Sequence, residues 1–235
     1  MNETLEYFVT HRSRVRNIRI KVNGLGKVEV VAPVYASPRE IKEFVDQNLP
    51  WIEQSKSKLR DQRLSDPNLG LNIPGQIDLK AIPISYKVNT LDIVQKPALL
   101  ENNRTLQLFS KCENKSRELL RNWLHTKAKS ILVPTLQQSS NLYQIKFNKV
   151  SIRGQKTRWG SCSTLGNINL NRNLLFLPPE LVSYLMLHEL CHIVQPNHSH
   201  RFWSLVESFE PKFRDYEKAL NQSHTLVPLW AYKSI

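Results

Sequence analysis

The sequence predicts an α+β fold, in which a β-rich N-terminal lobe precedes a lobe where strands lead into a helix. Alternating apolar and polar residues predict β-hairpins over 18–30 and 156–171, because successive side chains of a strand point to opposite faces. Apolar residues at helical spacing predict a long amphipathic helix over 119–132. A further helix over 178–195 follows the second hairpin directly, which completes the α+β pattern.

We predict a single domain over residues 1–235, with a β-rich lobe of about 1–112 and a second lobe of about 113–235. The boundary is placed near 110–116, where short strand-like runs end and the polar segment "KCENKSRE" leads into the amphipathic helix. A chain of 235 residues is long enough to bury most of its apolar surface in such an arrangement.

The composition is that of a globular protein with a strongly basic surface. The formal net charge is +13, from 33 Lys and Arg against 20 Asp and Glu, which favours attraction to nucleic acid or another polyanion. No nucleic-acid-binding motif accompanies this charge. No apolar run is long enough for a membrane helix, and the first residues have no signal-peptide h-region. Three cysteines without a C-x-x-C pair indicate a reducing, cytoplasmic setting.

The first hairpin turns at "NGLG", and the arginines before it conflict with its pattern. Arg12, Arg14 and Arg16 occupy every second position, and the apolar Ile18 and Ile20 continue the same series. One continuous strand cannot place both sets on a single face, so we expect a bulge or a break near Asn17.

A helix start is predicted at "SPREIKEFV". Ser37 can cap this helix, Pro38 suits its first turn, and Glu40 completes a capping box. Pro50 is expected to end or kink the helix, and a second helix is predicted from "PWIEQSKSKLR" onward.

The most informative segment is "LMLHELCHIVQPNHSHRFW", which contains four of the seven histidines. His188, Glu189 and His192 fit the pattern H-E-x-x-H. Positions i and i+4 of a helix share one face, so both imidazoles can reach a single metal ion. Glu189 lies beside them, where it can act on a metal-bound water without binding the metal. Leu185 shares the histidine face, which is therefore predicted to point into the protein, whereas Cys191 projects elsewhere as a small core residue.

The third ligand of such a site is not fixed by spacing. A catalytic zinc site usually has three protein ligands and one open position. After the helix the chain must turn back toward the metal, and "NHSH" offers His198 and His200. Glu207 and Glu210, on a predicted following helix, are the carboxylate alternatives. Zinc itself is inferred from the type of ligand.

Several blocks together resemble the YgjP-like zinc metallopeptidase family, which is related to the SprT-like peptidases. They are "HELCH" with "NHSHRFW", the preceding "TRWGSCS" and "GNINLN", the hairpin that ends in "VVAP", and the helix "SPREIKEFV". The resemblance covers most of the chain. It implies a zincin-like catalytic lobe, built from an antiparallel β-hairpin and the active-site helix with the H-E-x-x-H motif.

The resemblance also implies roles for four residues. His188, His192 and His198 would bind Zn²⁺, since the family's third ligand is the histidine that opens the H-S/G-x-x-F element. Among the other candidates for the third ligand, Glu207 and Glu210 come next and His200 last. The implied reaction is hydrolysis of a peptide bond in a peptide or protein substrate. Zn²⁺ would lower the pKa of its bound water to about 7, and Glu189 would move a proton from that water to the leaving amine.

The strand within "KTRWGSCS" is a candidate for main-chain pairing with an extended peptide. Gly160 would permit a close approach, while Arg158 and Trp159 could shape the groove. Packing of the hairpin against the helix is an equal alternative for Trp159 and Cys162. SprT-like relatives act on DNA-associated proteins, so by analogy the basic surface could recruit the enzyme to an anionic partner.

Two other functions compete with the peptidase. A nucleic-acid- or protein-binding module with a structural or vestigial zinc site is disfavoured by Glu189, because a structural site does not need this carboxylate. Hydrolysis of another amide or of an ester would use the same four residues, so only a substrate screen separates it from peptide hydrolysis.

Overall fold

The computed structural model describes residues 5–13, 15–24, 26–64, 66–92 and 96–233. The chain forms two compact units, Met1–Asp66 and Pro67–Ile235. The predicted α+β class is confirmed, since both units combine small sheets with helices. Among the described residues, no helix has both the length and the apolar character that crossing a membrane requires.

The first unit contains a three-stranded sheet of β1 (Tyr7–Arg12), β2 (Arg19–Val22) and β3 (Val28–Pro33). The strand β3 is central, with β1 parallel and β2 antiparallel to it. The pair of β2 and β3 is the first predicted hairpin. The break expected near Asn17 is also present, because β1 ends at Arg12 and β2, on the opposite side of β3, begins at Arg19.

Two helices complete this unit, α1 (Pro38–Gln47) and α2 (Leu49–Leu64). The predicted capping box is confirmed: Glu40 N–H donates to Ser37 Oγ at 3.2 Å, and Ser37 N–H donates to the Glu40 carboxylate at 2.7 Å. Alternate residues of β3 and the inner faces of the helices form the core, which consists of Val28, Val30, Ala32, Ile41, Val45 and Ile52.

The second unit contains two sheets. The four-stranded sheet consists of β4 (Gln76–Leu79), β5 (Ile84–Leu91), β6 (Ala98–Asn102) and β7 (Thr105–Phe109). Its strand order is β4-β5-β7-β6. The three-stranded sheet consists of β8 (Lys149–Arg153), β9 (Gly160–Cys162) and β10 (Asn167–Asn171). Its order is β8-β10-β9, so β9 is an edge strand. The antiparallel pair of β9 and β10 is the second predicted hairpin, and β8 runs parallel to β10.

The α-helices described in this unit are α3 (Glu113–Tyr143), α4 (Pro179–Val194), α5 (His200–Phe209) and α6 (Phe213–Gln222). The predicted amphipathic stripe lies on α3, where Leu120, Leu124, Ala128 and Leu132 are fully buried. This long helix packs against α4 and β8 and so supports the helix that carries the histidines.

The predicted lobe boundary near 110–116 lies inside the second unit, between β7 and α3, whereas the compact units divide between Asp66 and Pro67. The four-stranded sheet is joined to α3 by a hydrogen bond in which Trp123 Nε1–H donates to Glu101 of β6 at 2.9 Å. The division into lobes of about 1–112 and 113–235 stays a prediction.

Candidate active site

The H-E-x-x-H segment lies in the second half of α4. Pro178 and Pro179 stand at the start of this helix, where a backbone N–H would have no helical partner in any case. The helix ends at Val194, and the N–H of Gln195 donates to Cys191 O at 2.9 Å. Most residues of α4 are buried, as expected of an apolar helix in a protein interior. The motif is therefore held on a rigid, enclosed element.

His188 and His192 lie one turn apart on the same face of α4, as predicted. Their ring centroids are 4.9 Å apart. His192 Nδ1 lies 3.2 Å from Gln195 O, so its Nδ1–H donates to this carbonyl and its Nε2 keeps a free lone pair. The ring of Phe202, from α5, stacks on His192 with a centroid distance of 4.5 Å. The hydrogen bond and the stacked ring together fix the orientation of this imidazole.

His198 precedes α5 and completes a cluster with the two helix histidines. Its Nε2 lies 3.1 Å from His188 Nε2, and one ring nitrogen of each of the three residues lies within 4.8 Å of the others. Trp203 stacks on the His198 ring with a centroid distance of 5.3 Å. Zn–N bonds of about 2.0–2.1 Å place tetrahedral ligand nitrogens about 3.3 Å apart, and the 3.1 Å between His188 Nε2 and His198 Nε2 is close to this separation. The three histidines are placed to bind a metal ion.

Burial favours the neutral form of His188 and His192, which is the form that binds metals. Burial, and then the nearby His192 and His198, lower the pKa of His188 to about 3. Burial also lowers the pKa of His192, although its hydrogen bond to Gln195 acts in the opposite direction. Neutral imidazoles need not release a proton before a metal ion binds.

Glu189 lies beside the histidines and is only 4% exposed. Burial raises the pKa of Glu189 to about 8, against the positive charge of Arg158, which lowers it. Among the described residues, neither Glu189 Oε2 nor His188 Nδ1 has a hydrogen-bond partner, although both atoms are buried. Buried polar atoms without partners destabilise a fold unless a bound ion or a water molecule satisfies them.

The edge strand β9 forms the wall next to Glu189. A Cβ atom at Gly160 would lie 2.5 Å from Glu189 Oε1, so the absence of a side chain there makes room for the carboxyl group. Cys162 shares the strand face of Gly160, since side chains alternate along a strand. Burial, and then the charge of Glu189, raise the pKa of the Cys162 thiol to about 11.

The segment before β9 is held in place by Asn171. Its Nδ2 donates to Gln155 O and to Arg158 O, each at 2.8 Å. Arg158 is exposed. Trp159 is buried, and its Nε1–H donates to Leu220 O at 3.2 Å. The indole of Trp159 therefore packs inside the unit, which agrees with the packing alternative for this residue.

Glu217 of α6 was missed from the sequence. Its Oε2 accepts a hydrogen bond from Tyr184 Oη at 2.7 Å and lies 3.9 Å from His188 Nδ1. On α6 it shares a face with the buried Phe213 and Leu220, at positions i, i+4 and i+7. A carboxylate on the apolar face of an amphipathic helix is the signal that could have identified it, although no spacing indicates which histidine it approaches.

The family comparison agrees with this geometry. A family model described as "YgjP-like, metallopeptidase domain" matches residues 16–223. The chain belongs to the YgjP-like family. The resemblance predicted from the sequence is thereby confirmed, and so is the enzyme class. This YgjP-like protein is a metallopeptidase, which is a metal-dependent hydrolase of peptide or protein substrates.

Two solved structures are similar to part of the YgjP-like chain. The metallopeptidase zymogen of Pyrococcus abyssi abylysin is 25% identical, with a TM-score of 0.36, and the match covers 40% of this chain and 94% of that one. The metallopeptidase zymogen of Methanocaldococcus jannaschii jannalysin is 21% identical, with a TM-score of 0.35, and the match covers 39% of this chain and 95% of that one. No curated protein matches the chain.

The four candidates for the third metal ligand of the YgjP-like chain lie in different surroundings. Among the described residues, only His198 joins the two helix histidines in a cluster. His200 Nδ1 lies 3.3 Å from Ser204 Oγ instead. Glu207 is exposed on α5, and the Glu210 carboxylate accepts a hydrogen bond from a backbone N–H two residues later.

Proposed function

We propose that the protein is a zinc-dependent peptidase in which His188, His192 and His198 bind Zn²⁺ and Glu189 is the general base and acid. One observation carries this proposal: three imidazole nitrogens converge within 4.8 Å of one another beside a buried carboxyl group. Imidazole is a ligand that suits zinc, and three protein ligands are typical of catalytic zinc sites.

A zinc ion held by these histidines would polarise the scissile carbonyl and lower the pKa of a water molecule to about 7. In its ionised form, Glu189 accepts a proton from the attacking water at its carboxylate and delivers that proton to the leaving amine. The surroundings of Glu189 support this role. Its Oε2 makes no hydrogen bond with the described residues that would compete with a water molecule, and its side chain lies against Gly160 of β9.

The surrounding residues orient the histidines for this function. The carbonyl of Gln195 accepts the Nδ1–H of His192 and leaves Nε2 for the metal. Glu217 lies 3.9 Å from His188 Nδ1, and Tyr184 Oη holds the Glu217 carboxylate by donating a hydrogen bond to it. The hydrogen bond to Gln195 fixes the tautomer and ring orientation of His192, while the negative charge of Glu217 lies close enough to His188 to increase its basicity.

We further propose that an extended peptide substrate pairs with the outer edge of β9. In the described parts of the chain, β9 pairs with β10 alone, so its other edge offers main-chain donors and acceptors. Gly160 allows a close approach of the peptide, and the exposed Arg158 lies directly before the strand. Trp159 contributes its backbone and its packing, because its side chain is buried.

Charge supports a second association, with nucleic acid or another polyanion. Between Glu118 and Glu180 the chain has nine Lys and Arg residues and no Asp or Glu. Such a segment attracts polyanions, and binding of this kind weakens steeply as salt is raised. A titration of single-stranded DNA at two salt concentrations tests this association. We also propose a cytoplasmic location, supported by the free thiols of Cys112, Cys162 and Cys191.

The first experiment measures the metal content of the full chain by mass spectrometry of the purified protein after zinc addition. We expect about one zinc per chain in the wild type. His198→Ala should weaken zinc binding, whereas Glu189→Gln should keep the zinc and slow peptide hydrolysis about 10²- to 10⁴-fold. His200→Ala is the matched control, because it removes a nearby imidazole outside the cluster and should preserve both properties.

The outcomes separate the parts of the proposal. A wild-type protein that stays metal-free in excess zinc contradicts the metal site. Zinc binding without hydrolysis of any peptide in a broad substrate screen contradicts the peptidase, and a parallel screen of other amides and esters then tests the related hydrolase. Hydrolysis by Glu189→Gln at the wild-type rate contradicts the role of Glu189.

A further inference from the structure

A pocket of about 480 Å³ lies between α5 and α6, next to the histidine cluster. This volume falls in the range of about 300–1,000 Å³ that is usual for sites that enclose small ligands or side chains. The pocket extends from Trp203 on α5 along α6 to Asn221 and Gln222. Neither the metal-binding proposal nor the role of Glu189 makes use of this space.

Two residues of the pocket wall lie against the histidine cluster. Trp203, on its α5 side, stacks on the ring of His198 with a centroid distance of 5.3 Å. Glu217, on its α6 side, lies 3.9 Å from His188 Nδ1. A peptide whose cleaved bond lies at the cluster would therefore bring a neighbouring side chain to the pocket.

One wall of the pocket is aromatic. The rings of Trp203 and Phe213 are stacked, with centroids 5.4 Å apart and planes 21° apart. Phe213 is buried, whereas Trp203, which stacks on both His198 and Phe213, is partly exposed and lines the pocket. The partly exposed indole of Trp203 favours another aromatic ring, because it provides an apolar contact and an edge-to-face geometry.

The α6 side of the pocket is positively charged. Arg214 and Lys218 are exposed at positions i and i+4, and the Arg214 guanidinium lies 5.1 Å from the Phe213 ring centroid. Within the described residues, neither cation forms an ion pair with a carboxylate. The carboxylate of Glu217 accepts a hydrogen bond from Tyr184 and is turned toward His188. The two cations are therefore available to a carboxylate of a bound molecule.

We infer that this pocket selects peptide segments in which an aromatic residue flanks the cleaved bond and an acidic residue is its next neighbour. The aromatic side chain packs on Trp203, and the adjacent carboxylate pairs with Arg214 and Lys218. The inference rests on the proposed peptidase function, and it narrows the substrate class to acidic, aromatic-containing segments.

The test measures binding separately from cleavage. Four fluorescently labelled peptides, identical except for a central pair of Phe-Glu, Ala-Glu, Phe-Lys or Ala-Lys, are titrated against full-length Glu189→Gln with zinc supplied. Fluorescence anisotropy gives each dissociation constant. We expect the Phe-Glu peptide to bind about tenfold more tightly than either the Ala-Glu or the Phe-Lys peptide. A tenfold change in the dissociation constant is the effect expected from the loss of one aromatic contact or one charge pair.

Two further substitutions in the same background assign the preference to the pocket. Arg214→Glu should remove or reverse the preference for Glu over Lys and keep the preference for Phe over Ala. Asn221→Trp should fill the pocket and reduce the preference for Phe. Lys129→Glu is the matched control, since it makes an equal charge change at an exposed position on α3 and should leave both preferences intact.

Equal binding of the four peptides overturns the inference, as does an equal effect of Lys129→Glu and Arg214→Glu. Cleavage by the wild type is scored independently on the same peptides. A preference in binding with no cleavage of any peptide supports the pocket and contradicts the peptidase. Equal cleavage of all four peptides supports the peptidase and overturns the pocket.

Discussion

The side chain of Glu189 lies directly against the backbone of Gly160, so that α4 and β9 meet where a Cβ atom would otherwise stand. A Cβ at residue 160 would lie 2.5 Å from Glu189 Oε1, 2.8 Å from its Cδ and 2.9 Å from its Cγ. Glu189 is only 4% exposed, so its carboxyl group has little room to move aside. The glycine therefore determines where the proposed base lies relative to the histidines.

Gly160→Ala should displace the carboxyl group of Glu189 without touching the three histidines proposed to bind the metal. We expect kcat/KM for peptide hydrolysis to fall about a hundredfold, because a catalytic group that is misplaced by about 1 Å loses this much. Zinc content should be unchanged. Gly75→Ala is the control, since nothing lies within 4 Å of a Cβ added there. Full activity in Gly160→Ala would show that the contact with Glu189 is not functional.

The carboxylate of Glu217, 3.9 Å from His188 Nδ1, should increase the affinity for zinc. Glu217→Gln should weaken zinc binding about tenfold or more, because it removes a negative charge 3.9 Å from Nδ1 of His188, a proposed zinc ligand. Tyr184→Phe should have a smaller effect in the same direction, since it removes only the hydrogen bond to the Glu217 carboxylate. Competition with a chromogenic chelator measures both affinities.

The control for this prediction is Glu207→Gln, which makes the same charge change at an exposed position on α5. It should bind zinc as the wild type does. Glu207 was one of the alternative third ligands, so a large loss of affinity in Glu207→Gln would favour that residue over His198 and count against the arrangement proposed for Glu217.

The parts of the fold that the sequence predicts correctly are those that local physics determines. The break near Asn17 follows from a conflict of parity between arginines and isoleucines, and the two strands do lie on opposite sides of β3. The capping box of Ser37 and Glu40 forms because both partners lie within one helical turn. In each case the interacting residues are close in sequence, so a pattern of a few letters contains the information.

The candidate site shows the limit of the same reasoning. His188, Glu189 and His192 share a helix face, and their clustering follows from helical geometry alone. His198 is ten residues away from His188, and its choice over His200 and Glu207 depended on the family resemblance rather than on spacing. Glu217 and the pocket depend on how α6 packs against α4, which is a contact between distant segments that no local pattern encodes.

The three thiols should react at different rates in the native protein. Cys112 is exposed, Cys162 is partly buried, and Cys191 is fully buried. Burial raises the pKa of Cys162 to about 11 and that of Cys191 to about 12. Because only the thiolate reacts, a raised pKa lowers the reactive fraction at pH 8, and alkylation of Cys162 should accelerate as the pH rises toward 11.

Timed iodoacetamide labelling at pH 8, followed by peptide mass spectrometry, measures this order. Cys112 should label first, Cys162 more slowly, and Cys191 only after unfolding. Labelling in denaturant is the control, since all three thiols should then react at similar rates. Rapid native labelling of Cys191 would contradict its place in the core behind the histidine face.

The last prediction separates packing from substrate binding at Trp159. The indole is buried, stacks on His224 with a centroid distance of 4.4 Å, and donates its Nε1–H to Leu220 O. Trp159→Ala should therefore lower the free energy of unfolding by about 3–5 kcal/mol, the usual loss for a buried aromatic side chain. Trp51→Ala is the control, because Trp51 is 47% exposed and its loss should change stability by less than about 1 kcal/mol. Urea unfolding followed by far-UV circular dichroism measures both. If Trp159→Ala kept its stability but lost peptide binding, the indole would belong to the substrate groove rather than to the core.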